Sequence, residues 1–274
     1  MNSDEQAAHE RLLGLEKLPP EQQATVLAAR SAVAALADYE QAVSTLALIE
    51  KLSPEQQASV LAAPYAVSDL AKNGQAVSTL ALIEKLSSVQ QATVLAAPNA
   101  VWDLAENGQS EPTLALIEKL PPEQQASVLA KEGVVWGLAR KGQAEPTLGL
   151  IERLSPGQQA TVLAAPDAVS GLAKNGQAAR TLALIEKLSP EQQASVLAAP
   201  GAVWALAFNG QSEPTLALIE KLPPEQRATV LAAPYAVSGL ARNGQREAVE
   251  RIQCGVRSWR EILVRKNQPT NLER

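Results

Sequence analysis

Leu46-Ala47-Leu48-Ile49-Glu50-Lys51-Leu52 is a seven-residue run that returns every 34 residues. Copies end at Leu86, Leu120, Leu188 and Leu222, with a variant, Leu148-Gly149-Leu150-Ile151-Glu152-Arg153-Leu154, between them. A worn copy, Leu12-Leu13-Gly14-Leu15-Glu16-Lys17-Leu18, precedes them all. Seven units follow without insertion: 18–51, 52–85, 86–119, 120–153, 154–187, 188–221 and 222–255. Residues 1–17 and 256–274 remain as ends. So strict a period favours a one-dimensional stack, in which each unit buries its apolar face against its neighbours. The chain therefore reads as one elongated repeat domain.

Residues 52–85 show what one unit is made of. Ser53-Pro54-Glu55-Gln56 is a helix start, with Ser as N-cap and Pro in the first turn. The helix runs to Ala63, and Pro64 is expected to open a second, short helix from Tyr65 to Lys72, with Val67, Leu70 and Ala71 inward. Asn73-Gly74 ends it, because Gly accepts the left-handed conformation of a helix C-terminus. A third run from about Ala76 carries Leu80, Leu82, Ile83 and Leu86. Whether it continues into the next unit, giving two helices per repeat, or stops, giving three, is left open. No alternating strand pattern occurs, so the expectation is all-α: a right-handed α-solenoid of about seven units with terminal capping helices. Val249, Ile252, Val256, Trp259 and Leu263 are spaced as an amphipathic C-terminal cap, and His9 to Leu18 serve the same purpose at the other end.

Apolar residues form 46% of the chain and aromatics only 3%, so the core must be aliphatic. The formal charge is −5. From Arg246 onward seven Lys and Arg stand against four Glu, a local +3 that leaves the preceding body at −8. One Cys (Cys254) excludes a disulfide framework and fits a reducing compartment, cytoplasmic or reached by delivery into a host cell. No secretory signal and no membrane span are visible. A single His and a single Cys provide neither a metal cluster nor a catalytic triad, and there is no Gly-rich phosphate loop. An enzyme, a cofactor and a small-molecule substrate are therefore not expected.

Comparison among the units separates constant from variable columns. Gln recurs at 22, 56, 90, 124, 158, 192 and 226, and again at 41, 75, 109, 143, 177, 211 and 245. These columns suit either a hydrogen-bonded ladder between units or a polar stripe facing a ligand. Four columns vary. They read Ser31, Tyr65, Asn99, Gly133, Asp167, Gly201, Tyr235; then Ala34, Ser68, Trp102, Trp136, Ser170, Trp204, Ser238. The others read Ala35, Asp69, Asp103, Gly137, Gly171, Ala205, Gly239; and Asp38, Lys72, Glu106, Arg140, Lys174, Phe208, Arg242. Offsets of three, four and seven put all four on one helix face. That stripe is the expected partner-gripping surface, carried by Tyr65, Asp69, Lys72, Trp102, Asp103, Glu106, Trp136, Arg140, Asp167, Lys174, Trp204, Phe208, Tyr235 and Arg242. The three Trp occur only in units with Pro ten residues later (Pro112, Pro146, Pro214), so each Trp is expected to pack on that Pro. A partly exposed Trp also serves as a binding anchor.

Starting at the middle helix, a unit reads Ala63-Pro64, then Leu70-Ala71-Lys72-Asn73-Gly74, Leu80, Ile83 and Leu86, with Pro54, Pro122, Pro156, Pro190 and Pro224 at the next helix start. Over about residues 29–255 this resembles the 34-residue repeats of transcription-activator-like effectors, DNA-reading proteins of plant-associated bacteria. The resemblance implies base-reading loops at Tyr39-Glu40, Asn73-Gly74, Asn107-Gly108, Lys141-Gly142, Asn175-Gly176, Asn209-Gly210 and Asn243-Gly244, with helix N-termini facing phosphates. The family's Gly-Gly-Lys-Gln is Gln75-Ala76-Val77-Ser78 here, and Glu111, Glu145, Glu213 and Glu247 stand in the first turn, where they repel phosphate. DNA affinity rests on Lys and Arg, while the repeat body is acidic. The leading expectation is accordingly a protein or peptide partner for a non-enzymatic scaffold, as in an effector. Duplex DNA is the alternative.

Overall fold

The computed structural model describes residues 3–29, 32–37 and 41–251. The chain divides into two compact units, Met1–Val162 and Leu163–Arg274. The described residues form helices and turns with no strand among them, as the apolar spacing predicts. None of their helices is long and apolar enough to cross a membrane.

In the first unit one repeat comprises helix Pro54–Leu61, helix Ala66–Leu70, a turn over Ala71–Gln75 and helix Ala76–Glu84. The cycle returns as Ser88–Leu95, Ala100–Leu104 and Ser110–Glu118, then as Pro122–Leu129, Val134–Leu138 and Ala144–Glu152. In the second unit Ala168–Leu172 and Ala178–Glu186 lead to Pro190–Leu197, Ala202–Leu206 and Ser212–Lys221. Pro224–Ala232, Ala236–Leu240 and a helical stretch over 246–251 close the series. There are thus three helices per repeat. The last helix does not run on, because the residue at position 87 is extended (φ −64°, ψ 156°) and acts as N-cap of a new helix.

That cap is also what the first constant Gln column does. Ser53 accepts from the Gln56 backbone N–H while the Gln56 side chain accepts from the Ser53 N–H, and Ser87–Gln90 and Ser189–Gln192 repeat the reciprocal pair. The expected ladder between units is corrected accordingly: these bonds lie within one helix start. The exception is Gln226, whose amide reaches Glu191 of the preceding repeat at 3.4 Å. The second Gln column occupies the N-cap position of the last helix and makes no side-chain cap there.

A different Gln joins successive repeats. The buried Gln57 amide donates to the Glu50 and Leu52 carbonyls at 3.1 and 2.9 Å, satisfying acceptors that the end of the preceding helix leaves open. Gln91, Gln125, Gln159 and Gln193 repeat the arrangement. Around these bonds the core is aliphatic, with Leu61, Leu70, Ile83, Leu95, Leu104 and Ile117 wholly buried. Within each compact unit like helices pack on like: Pro54–Leu61 on Ser88–Leu95, Ala66–Leu70 on Ala100–Leu104, and Ala202–Leu206 on Ala236–Leu240. Helix Ser3–Glu16 packs on Ala32–Leu36 and Ala42–Glu50, burying Ala8 and Leu12 as an N-terminal cap should. Of the C-terminal cap, Val249 is buried, whereas Ile252, Val256, Trp259 and Leu263 lie outside the described residues. So do Cys254, Arg30, Ser31, Asp38, Tyr39 and Glu40.

Candidate functional site

The middle helix is shorter than its apolar spacing suggests. It starts at Ala66, because Tyr65 adopts a left-handed conformation (φ 68°) and turns the chain into it. Asn99, Gly133, Asp167, Gly201 and Tyr235 do the same. The first variable column is therefore first a conformational one, and its Gly, Asn and Asp are the residues that tolerate this region. Tyr65 and Tyr235 are the costly occupants, at about 1–2 kcal/mol each.

The next two columns do not form an open face. They form the seam between repeats. A residue at the Ser68 position meets the residue 35 positions later, one repeat on and one place along. Trp102 lies against Gly137, where an added Cβ would sit 3.2 Å from the indole and 3.3 Å from the Trp Cα. Trp204 lies against Gly239 still more tightly, since a Cβ added to Gly239 would sit 2.7 Å from the Trp204 Cα. Pro112, Pro146 and Pro214, the expected partners of the tryptophans, are exposed in the first turn of the last helix, and Trp102 and Trp204 pack forward onto glycine.

In the first unit this seam is polar. Asp103, placed by sequence on the gripping face, is buried with a side chain 6% exposed. The Ser68 hydroxyl donates to its carboxylate, and the Lys72 ammonium stands 3.2 Å from it and 3.0 Å from the Ser68 oxygen. Glu106 meets the Lys141 ammonium at 2.8 Å and the Arg140 guanidinium at 3.4 Å. Arg140 also lies over Trp102, 5.9 Å from the ring centre. Lys72, Asp103, Glu106 and Arg140 thus neutralise one another. Asp69 is half-buried and engaged in the fold, and Trp136 is half-buried as well.

In the second unit the same positions open into a cleft of about 450 Å³. Asp167, Lys174, Trp204, Tyr235 and Arg242, all expected from the stripe, line it together with Ser170, Pro200 and Gly201. Trp204 and Phe208 stack in parallel, 5.0 Å between ring centres and 10° between planes. The Lys174 ammonium lies 5.3 Å above the Trp204 ring. Ala205 stands where the first unit has Asp103, and Phe208 where it has Glu106. Ser170 points its hydroxyl instead at the Gly201 carbonyl, 3.5 Å away. Phe208 is 63% exposed and Tyr235 70%. Arg242 has no acidic partner among the described residues.

The Asn-Gly loops lie outside this cleft lining. Asn73, Asn107, Asn175, Asn209 and Asn243 each turn the side-chain amide back onto the carbonyl four residues earlier, at 2.7–2.9 Å. They act as caps on the middle helix. Gly74, Gly108, Gly142, Gly176, Gly210 and Gly244 follow with φ between 80° and 91°, and open space where a Cβ would be. Lys141 is held by Glu106. Glu111, Glu145 and Glu213 are exposed in the first turn beyond the loops. No group of His, Cys, Asp and Glu among the described residues could hold a metal.

Neither a family model nor a curated protein matches the chain. The site's own geometry therefore carries the functional reading.

Proposed function

We propose that the chain is a non-enzymatic α-solenoid of 34-residue repeats that binds a protein partner through the cleft around Trp204. The single observation behind this is the meeting of half-buried Trp204, a strained and exposed Tyr235, and Lys174 and Arg242 in one cleft, with the exposed Phe208 stacked on Trp204 beside it. Aromatic rings and Arg are the side chains that dominate binding energy at interfaces. Exposed aromatics that fill no core lower solubility, and among the described residues outside this site Tyr65 is the one other exposed aromatic. Tyr235 bears the cost of a left-handed conformation that Asn99, Gly133, Asp167 and Gly201 adopt more readily, so its use is sought in what it touches.

Selection of short random peptides on the immobilised full chain tests this reading. Captured peptides should lose at least about tenfold in affinity when Phe208→Ser and Tyr235→Gly are combined. Both side chains are exposed, so the fold tolerates the pair. If no captured peptide responds to that variant, the reading falls. A gel shift with duplex DNA at low and physiological salt is run beside it, and a salt-sensitive shift would instead favour nucleic acid.

A further inference from the structure

Asn-Gly occurs five times, at 73–74, 107–108, 175–176, 209–210 and 243–244, each time in the turn between the middle and last helices. Asn is a thermolabile residue, and most so before Gly, which puts no side chain between its backbone nitrogen and the Asn Cγ. In the reaction the Gly nitrogen attacks Cγ and the Cγ–Nδ2 bond breaks. Ammonia leaves with the proton that the Gly nitrogen gives up, and a cyclic imide remains. Water opens the imide at either carbonyl, giving Asp or isoaspartate, in which the main chain runs through the side-chain carbon. The step needs only water.

Two features of the fold hold these turns unreactive. The Asn ψ is 30–35° at all five, and at that angle the Gly nitrogen stands almost opposite Cβ across the Cα–C bond, out of reach of Cγ. Bringing the two together takes a rotation of roughly 150° about that bond, which the helices on either side forbid. Second, Nδ2, the group that must leave, donates to the carbonyl four residues back at 2.7–2.9 Å. Nothing else stands in the way, since a Cβ added to any of these glycines would meet open space. We infer that the five Asn-Gly turns are deamidation sites, latent in the folded chain and uncovered by local unfolding of their own repeat. The rate at each site follows the population of its opened repeat. The product favours the opened form, because a carboxylate then replaces the capping donor beside the same carbonyl oxygen. Lys141-Gly142 keeps the turn, with ψ 24° and φ 86°, but carries no amide and is inert. Ala71, Ala105, Ala173 and Ala207 are buried within their turns, whereas no residue of Ala241–Gln245 is, so Asn243 is uncovered first.

Peptide mapping by mass spectrometry tests this on the full chain, incubated at neutral pH either folded or in urea above its unfolding midpoint. In urea all five Asn-Gly peptides should show the mass gain of deamidation and contain isoaspartate. In the folded chain each should react at least about tenfold more slowly, with Asn243 ahead of the other four. Leu240→Ala hollows the core beneath the last turn, and should accelerate Asn243 while leaving Asn73, in the other compact unit, unchanged. Should that variant unfold throughout, the unaltered chain in urea below its midpoint makes the same comparison, and Asn243 should still lead. Equal rates in the folded and unfolded chain, or another turn reacting before Asn243, would overturn the control by local unfolding. No deamidation in urea would overturn the sites themselves.

Discussion

Residues 65–142 and residues 167–244 are the same three successive repeats met twice, and the two versions solve one electrostatic problem differently. Both carry a Lys, a Trp and an Arg at matched positions, and both seat the Trp against a Gly of the next repeat. The first encloses Asp103 and Glu106 between the cations and closes the seam. The second replaces both acids with apolar residues, replaces Gly133 with Tyr235, and stands open. The Lys, Trp and Arg positions are shared by the two regions, whereas the acids between them are present only in the first.

The part the two regions share should be the most sensitive to mutation. Gly239→Ala places a methyl 2.7 Å from the Trp204 Cα and should cost about 2–3 kcal/mol, whereas Gly137→Ala, with 3.3 Å to the Trp102 Cα, should cost about 1 kcal/mol. Denaturant midpoints followed by helical circular dichroism check both, and equal costs would mean that the two seams do not differ in tightness. Asp103→Ala is next, at about 1–2 kcal/mol, because it deprives Ser68 and Lys72 of a buried acceptor. Lys72 is half exposed and rehydrates, which keeps the loss below that of a fully buried pair. The matched change in the open region, Ala205→Asp, should be close to neutral. Smallest of the three, Tyr235→Gly should stabilise the fold by about 0.5–1 kcal/mol, since Gly accepts the left-handed backbone at the expense of some unfolded-chain entropy. The same change should weaken peptide capture. A stability gain without loss of capture would show that Tyr235 is not used.

Much of this was legible in the sequence. The helix starts at Ser-Pro and the Asn-Gly stops reappear in the structure at the 34-residue period, and Asp167, Lys174, Trp204, Tyr235 and Arg242 of the stripe line one cleft. What the spacing could not tell is where a side chain points when two repeats meet. Comparison at 34 residues makes Trp102 and Asp103 variable surface, whereas comparison at 35 pairs Trp with Gly at 102/137 and 204/239, the two size-matched joints of the structure. The left-handed position was similarly present as Asn99, Gly133, Asp167 and Gly201, but Tyr65 and Tyr235 in the same column obscured it. The Gln57 column was passed over because Arg227 interrupts it, and its role depends on carbonyls left open by the previous helix, which no side-chain pattern records.

The most direct test of the central claim converts the closed region into the open one. Asp103→Ala, Glu106→Phe and Gly133→Tyr together give the first unit the residues found at Ala205, Phe208 and Tyr235, and calorimetric titration with a peptide captured by the cleft counts sites. The account predicts a rise from one bound peptide per chain to two, the new site being lost again when Arg140→Gln is added. A folded variant that still binds a single peptide would contradict it.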